Sequence, residues 1–424
     1  MTPIPKASAG HLAKGWEEVR LIDMCDVIQG QSPPGSTYNT SGDGLPFFQG
    51  KAEFGDLYPT PVKWCTVPKK IAEKDDVLIS IRAPVGPTNI CAQKACIGRG
   101  LAAIRPHDGI PARYVLYGLR ATESKLTAKG TGSTFSAING TDLKNHKLAL
   151  APKDQREGIV SEIEKQFTRL DAGVAALQQV QANLKRYRAA VLKAACEGLL
   201  VPTEETRWVR GTLGNVIVDI EAGKSFRCEE RTPRENEIGV VKVSSVTWGF
   251  YNELESKTCL DARRIEERYI VRPDDFLFSR ANTIELIGAC VIAKNVTLRV
   301  MLSDKILRFR FSPKVLPIWV LYWLRSDFGR GEIERLSTGN QESMRNIGQE
   351  RIRQISFKIP PLTEQMRIVA EVERRLSTLE ELEMVVTTNL QRASHLRQTI
   401  LKHAFEGRLV AGPIIKRLIL DFNC

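Results

Sequence analysis

Few residues in this chain have the types and spacing needed to make or break a covalent bond. Gly223-Lys-Ser225 looks like the end of a phosphate-cradling loop, but Val218 stands where that loop's first glycine belongs. No glycine-rich strand–loop–helix fingerprint for a cofactor is present. The Asn/Asp-Pro-Pro-Tyr/Phe signature with which amino-methyltransferases hold a target base is missing as well. Asp75-Asp76 and Asp274-Asp275 are tempting carboxylate pairs, yet each precedes an apolar run, where aspartates usually shape turns. The nine cysteines are scattered singly, and the five histidines do not cluster near Cys91 and Cys96, the closest two. They read as reduced thiols, so the sequence predicts no catalytic residue and no metal site.

What remains is a set of polar and basic residues on loops. In the first half these are Gln31, Ser32, Gln49, Lys51, Arg82, Asn89, Ser133 and Thr134. In the second half they are Lys224, Arg227, Lys242, Ser244, Arg280, Asn282, Asn340, Gln341 and Arg345. Arg and Lys suit guanine edges, Asn and Gln suit adenine, and hydroxyls suit either base or a phosphate. Any one of them alone reads as a solvated surface residue. The expectation of DNA contact rests on the whole set and on its recurrence in matching loops. The formal charge of +12 and pI near 9.3 favour a polyanionic partner.

The elements that would carry these loops are given by an internal repeat. Residues 152–201 recur at 361–410, shifted by 209 positions without a gap. The endings nearly coincide: Leu192-Lys-Ala-Ala-Cys-Glu-Gly-Leu-Leu-Val201 and Leu401-Lys-His-Ala-Phe-Glu-Gly-Arg-Leu-Val410. Both copies read as one long helix with a heptad seam. Val160, Ile163, Phe167, Leu170, Val174, Leu177, Leu184 and Val191 form the seam of the first. Val369, Val372, Leu376, Leu379, Val386, Leu390 and Ile400 form that of the second. Gln181, Arg188, Glu383 and Arg397 interrupt it at a positions. Asp154 with Glu157, and Thr363, read as N-terminal caps; Gly198 and Gly407 read as helix stops.

A mixed globular segment of similar length precedes each helix. The order is an N-terminal segment 1–15, a domain 16–151, a helix 152–201, a second domain 202–360, a second helix 361–410 and a tail 411–424. Trp16 with Leu21 is answered by Trp208 with Leu213, and Arg113-Tyr-Val-Leu-Tyr-Gly-Leu-Arg120 by Ile318-Trp-Val-Leu-Tyr-Trp-Leu-Arg325. Residues 1–151 carry 18 Lys+Arg against 13 Asp+Glu and residues 202–360 carry 26 against 22, so the surplus charge lies mainly in the globular segments. The expected class is α+β: two mixed α/β domains separated by two long helices that form an antiparallel coiled coil, with an internal pseudo-twofold repeat. The most apolar run, Val315 to Leu324, is too short to span a bilayer, and Met1 to Lys14 is polar. A cytoplasmic protein with no membrane partner is expected.

These residues resemble the specificity subunit of type I restriction–modification systems. Carrying the resemblance are Pro360-Pro-Leu-Thr-Glu-Gln-Met-Arg-Ile-Val369, the two Glu-Gly-x-Leu-Val endings, Gly15-Trp16, Gly30-Gln-Ser-Pro33, Phe47-Phe-Gln-Gly-Lys51 and Arg82-Ala-Pro-Val-Gly86. Ala151-Pro-Lys-Asp-Gln155 departs from the Pro-Pro-Leu form at the start of the first helix. The resemblance implies a non-catalytic protein in which each target-recognition domain reads half of a bipartite double-stranded DNA target. It also implies two adenine-methyltransferase subunits and restriction/translocase subunits as partners. S-adenosylmethionine, ATP and Mg would sit on those partners and no cofactor on this chain. Two other classes fit the residues alone: a stand-alone bipartite DNA-binding regulator and a coiled-coil protein scaffold.

Overall fold

The computed structural model describes residues 12–129, 137–204 and 207–409. The chain divides into two compact units, Met1–Leu177 with Thr388–Cys424, and Gln178–Thr387. The architecture is mixed α/β, and no described helix is long and apolar enough to cross a membrane.

Unit 1 is built on a four-stranded antiparallel sheet in the order Cys25–Gln29, Leu101–Pro106, Val77–Ser80, Thr88–Ile90. Leu101–Pro106 occupies the middle, pairing Ala102 with Gln29 on one side and Leu101 with Ser80 on the other. Its run Leu-Ala-Ala-Ile is fully buried, as befits a central strand covered on both faces. Helix Ala112–Ala121 packs on this sheet through Tyr114, Val115, Leu116 and Leu119. A two-stranded ribbon, Glu17–Arg20 with Lys147–Leu150, ties the two ends of the domain together. A second sheet of five short strands holds Phe47 and Phe48, which pair in parallel with Cys96 and Ile97.

Unit 2 repeats the frame. Its four-stranded sheet runs Ile217–Ala222, Ile306–Phe311, Phe276–Ser279, Cys290–Ile292, in the same connectivity. Helix Pro317–Arg325 takes the place of Ala112–Ala121, and Val209–Thr212 pairs with Ser356–Ile359 as the ribbon. Trp16 and Leu21 in one unit and Trp208 and Leu213 in the other are all buried.

The aspartate pairs are turn residues, as expected. Asp75 and Asp274 hold left-handed backbone, at φ 70 and 64, which Asp tolerates better than most residues. Asp76 accepts the amide of Glu73 and Asp275 that of Arg272, closing each turn just before its buried strand. Asp76 also takes Arg105 in a forked pair, and Asp275 takes Arg308 and Arg310.

The long helices run Arg156–Cys196 and Leu362–Phe405. Thr363 therefore sits inside the first turn of its helix and does not cap it, because the Pro361 carbonyl already receives the amides of Glu364 and Gln365. Asp154 likewise lies in a turn before Arg156. The stops are as expected: Gly198 and Gly407 have φ 74 and 73, and the next amides, Leu199 and Arg408, reach back to Ala194 and His403. Every seam residue named from the heptad is buried or half-buried. In unit 1, Ile159, Val160, Ile163 and Phe167 join Ile400, Leu401, Ala404 and Phe405 in one core with the domain. In unit 2, Val191, Leu192, Ala195 and Cys196 join Ile368, Val369 and Val372. Each domain is thus fused to its helix pair by shared core.

Candidate nucleic-acid interface

In unit 1 the loops after three strands converge. Ser32, Gln49, Lys51 and Arg82 line one cavity of about 240 Å³ together with Gly50, Ser80, Ala83, Arg99 and Gly100. Four of the residues picked from the sequence meet there. The Gly98-Arg99-Gly100 turn packs tightly under Gln49: a Cβ on Gly100 would sit 2.2 Å from the Gln49 carbonyl oxygen. The Arg99 amide donates to Ser32 Oγ at 3.3 Å, which fixes the Gly30-Gln-Ser32 loop over the turn. Lys51, Arg82 and Arg99 are exposed, and among the described residues none has an ion-pair partner. Gln31 is exposed on the same loop.

Asn89 does not join this group. It is 1% exposed, and its amide is satisfied by both backbone groups of Gly55 and by the Thr88 carbonyl, so it braces a loop from inside. Ser133 and Thr134 lie outside the described residues.

In unit 2 most of the picked residues fall into two neighbouring groups. Ala281–Asn282, Met344–Asn346 and Thr338–Gln341 form a small three-stranded sheet that gathers Asn282, Arg345, Gln341 and the backbone of Asn340. Arg280 Nε and Nη2 reach Asn346 Oδ1 at 3.4 Å. Arg345 is spent on its own hairpin, donating to Ser337 and to the Gly339 carbonyl. Gln341 is exposed, and Met344 beside it is 72% exposed. Asn282 caps the Thr283 amide.

The second group lies on the loop after Ile217–Ala222. Lys224 pairs with Glu266, Ser225 donates to Asp304, and Arg227 is exposed without an ion-pair partner among the described residues. Glu266 is held below the usual carboxylate range by its hydrogen bonds from Lys224 and then Arg268. Lys242 and Ser244 stand on a different segment, after strand Ile238–Val241, where Lys242 faces Glu230 at 3.7 Å and Ser244 donates to Glu255. The groups are bridged by Asp304-Lys305, since the Arg280 amide donates to the Lys305 carbonyl.

The sheet registers set the correspondence between the two loops. Gln29 pairs with Ala102, and Ala222 with Leu307, so Gly30-Gln31-Ser32 matches Gly223-Lys224-Ser225. At both glycines a Cβ would strike backbone within about 2 Å, at Gly98 or Leu302 oxygen. The same alignment sets Arg99 against Asp304. One frame therefore carries Arg99 on the turn in unit 1 and, in unit 2, Asp304, already paired to Ser225 and followed by Lys305. Arg99 was missed by sequence reasoning; its signal was the Gly-Arg-Gly turn joining two buried strands.

Residues 13–186 match the family described as the type I restriction modification DNA specificity domain. The EcoKI type I restriction enzyme specificity subunit of Escherichia coli K12 is 23% identical over 437 residues, covering 95% of this chain and 91% of that protein. Over most of its length the chain is similar to type I specificity subunits. The MjaX specificity subunit of Methanocaldococcus jannaschii is more similar over a shorter stretch, 41% identical across 162 residues, or 38% of each chain. The crystal structure of the HsdS subunit from Thermoanaerobacter tengcongensis aligns with 47% identity, a TM-score of 0.36, and coverage of 44% of this chain and 45% of that one.

The exposed candidates of unit 1 stand just past strand ends and not on long free loops. That placement suits readout, where a side chain must be held to a fraction of an ångström.

Proposed function

We propose that this chain is a non-catalytic type I specificity subunit that reads an asymmetric, bipartite double-stranded DNA target, one half with each domain. In this reading it directs adenine methylation or restriction by partner subunits. The observation that carries the reading is one sheet frame built twice with different residues on equivalent turns: Gln31, Ser32 and Arg99 in one copy against Lys224, Ser225 and Asp304 in the other. A frame repeated with unlike readers suits two unlike half-sites, because direct readout depends on the donor and acceptor pattern each side chain presents.

The two long helices pair antiparallel as a coiled coil and relate the two halves by a pseudo-twofold repeat. Support comes from the inward-turned seam in each unit, from Arg188 with Glu383 in one and from Asp171 with Arg397 in the other. The domains 16–151 and 202–360 are the two readers, and 152–201 and 361–410 the spacer helices. Two adenine-methyltransferase subunits supply S-adenosylmethionine, and restriction/translocase subunits supply ATP and Mg chemistry.

A domain exchange tests it. Replacing residues 16–151 by a foreign recognition domain, in cells carrying the cognate methyltransferase, should change one half-site of the methylated sequence and leave the other intact. A change in both halves, or methylation by the purified chain without partners, would overturn the reading.

A further inference from the structure

The cavity bounded by Gln49–Lys51, Ser80–Ala83 and Arg99–Gly100 in unit 1 has a chemistry of its own. Three of its lining residues, Lys51, Arg82 and Arg99, are cations, and none of its lining residues is acidic. No carboxylate pairs with these cations among the described residues, although many exposed arginines of unit 2 have one: Arg263, Arg264, Arg268 and Arg299 are each paired. The nearest acids, Glu53 and Glu123, form no ion pair with these cations, although Glu123 feels the charge of Lys51. Glu53 accepts the Gly50 amide, and Glu123 is half-buried, its carboxyl raised by burial. Three like charges held round about 240 Å³ of open space repel one another, an arrangement that costs stability unless an anion fills it.

We infer that this cavity binds a single backbone phosphate of the DNA, with Lys51, Arg82 and Arg99 as its ligands, and that it does not read a base. The inference rests on the DNA-reading role proposed above. The cavity, about 240 Å³, leaves room for one phosphate and its remaining hydration. Ser32 Oγ and Ser80 Oγ at the wall are already engaged, with the Arg99 amide and the Arg82 carbonyl. Three cations bring more donors than the two acceptors a guanine edge presents, whereas the oxygens of one phosphate can take all three. The cavity would set the register of the domain on the duplex, leaving Gln31 and Gln49 at its rim to meet base edges.

Gly50 offers a probe that removes no ligand. It lines the cavity, its backbone is extended at φ -173, and a Cβ there meets nothing within 4 Å. Gly50→Asp places a carboxylate among the three cations without a steric clash. The experiment uses the full chain in complex with its methyltransferase subunits, and a duplex carrying the methylated target beside a scrambled duplex of equal length. Affinity is measured across salt for wild type, Gly50→Asp, Arg99→Gln and Arg99→Lys, with thermal melts to confirm folding.

The expected result is that Gly50→Asp and Arg99→Gln weaken both duplexes by the same factor. Each should lower the slope of log affinity against log salt by about one, and Arg99→Lys should restore it. Loss confined to the target duplex would mean a base is read there and would overturn the inference. Unchanged slopes in variants of a wild type that does bind would overturn it too, leaving the broader reading intact. A wild-type complex without salt-dependent affinity would sink both.

Discussion

Arg188 and Glu383 meet across the two long helices, Nη2 to Oε2 at 3.1 Å, each about a third exposed. Both stand at a positions, so the two polar interruptions of the heptad seam answer each other. Arg188 also lies 3.9 Å from Glu380. A half-exposed pair of this kind contributes little free energy, on the order of 0.5 kcal/mol. Its effect is on register, because sliding one helix by a turn would leave both charges against apolar neighbours.

The first prediction follows from that pair. Arg188→Glu alone should lower the melting temperature of unit 2, and the exchanged double variant Arg188→Glu with Glu383→Arg should recover most of it. A double-mutant cycle by thermal unfolding measures the coupling, expected below about 1 kcal/mol. Additive losses with no recovery would show that the pair does not act as a pair.

Arg308 is the most deeply placed cation of unit 2, 3% exposed against Asp275 at 2%. It donates to Asp275 at 2.7 Å, to Glu221, and to the carbonyls of Arg268 and Ile270. Arg308→Met should destabilise unit 2 by roughly 3 kcal/mol, the low end for an orphaned buried charge. The low end is expected because Arg310 still reaches Asp275 at 3.2 Å. Denaturant unfolding followed by the tryptophans of unit 2 checks the size, and a loss below 1 kcal/mol would contradict it.

His146 gives a pH dependence. It is 2% exposed, its ring Nε2 lies 2.8 Å from Thr122 Oγ1, and burial, with Lys129 and Lys125 adding, pushes it down to about 4. The unfolded ring titrates near 6.5 and takes up its proton first as pH falls. Unit 1 therefore keeps the full contribution above about pH 6.5 and loses it progressively between there and pH 4, by at most about 3 kcal/mol. His146→Gln should flatten the melting temperature of unit 1 over that range. An unchanged slope would mean the ring already titrates normally in the folded chain.

The helix register predicts spacing. Inserting four residues after Leu177 adds roughly 6 Å, about one helical turn, and should lengthen the unread gap between half-sites by one or two base pairs. Seven residues, roughly 10 Å, keep the heptad phase. Two residues rotate the seam by about 200° and should abolish assembly. Methylome sequencing of cells carrying each variant reads the gap directly. An active four-residue variant with an unchanged gap would show that the helices are not the ruler.

How much of this was legible in the sequence depended on the range of the interaction that decides each feature. The seam, the stops at Gly198 and Gly407, the helix from Ala112 and the turn aspartates are local signals, written within a few residues, and the structure has them. The cap at Thr363 failed because the Pro361 carbonyl supplies the first acceptor without a side chain. Asn89 reads as a polar loop residue, but strand pairing with Leu78 turns it inward against Gly55. Arg99 stayed hidden because Phe47 pairing with Cys96, some fifty residues away, brings its turn to Gln49. The match of Gln31-Ser32 to Lys224-Ser225 was hidden for a similar reason: register is fixed by strand partners, and not by the loop residues themselves.

Unit 1 is discontinuous, and this bears on the order in which the chain can fold as it is made. Unit 2 is one unbroken stretch, Gln178–Thr387, with every core partner in hand once that stretch has emerged. Unit 1 draws Ile400, Leu401, Ala404 and Phe405 into the core around Tyr114 and Phe167. At about 5–20 residues per second, translation leaves that core open for roughly 10–50 s after Leu177 appears. The older half of the nascent protein is thus the later to mature. A premature stop that removes a few residues before Phe405 would strip apolar packing from the first domain synthesised while sparing the second.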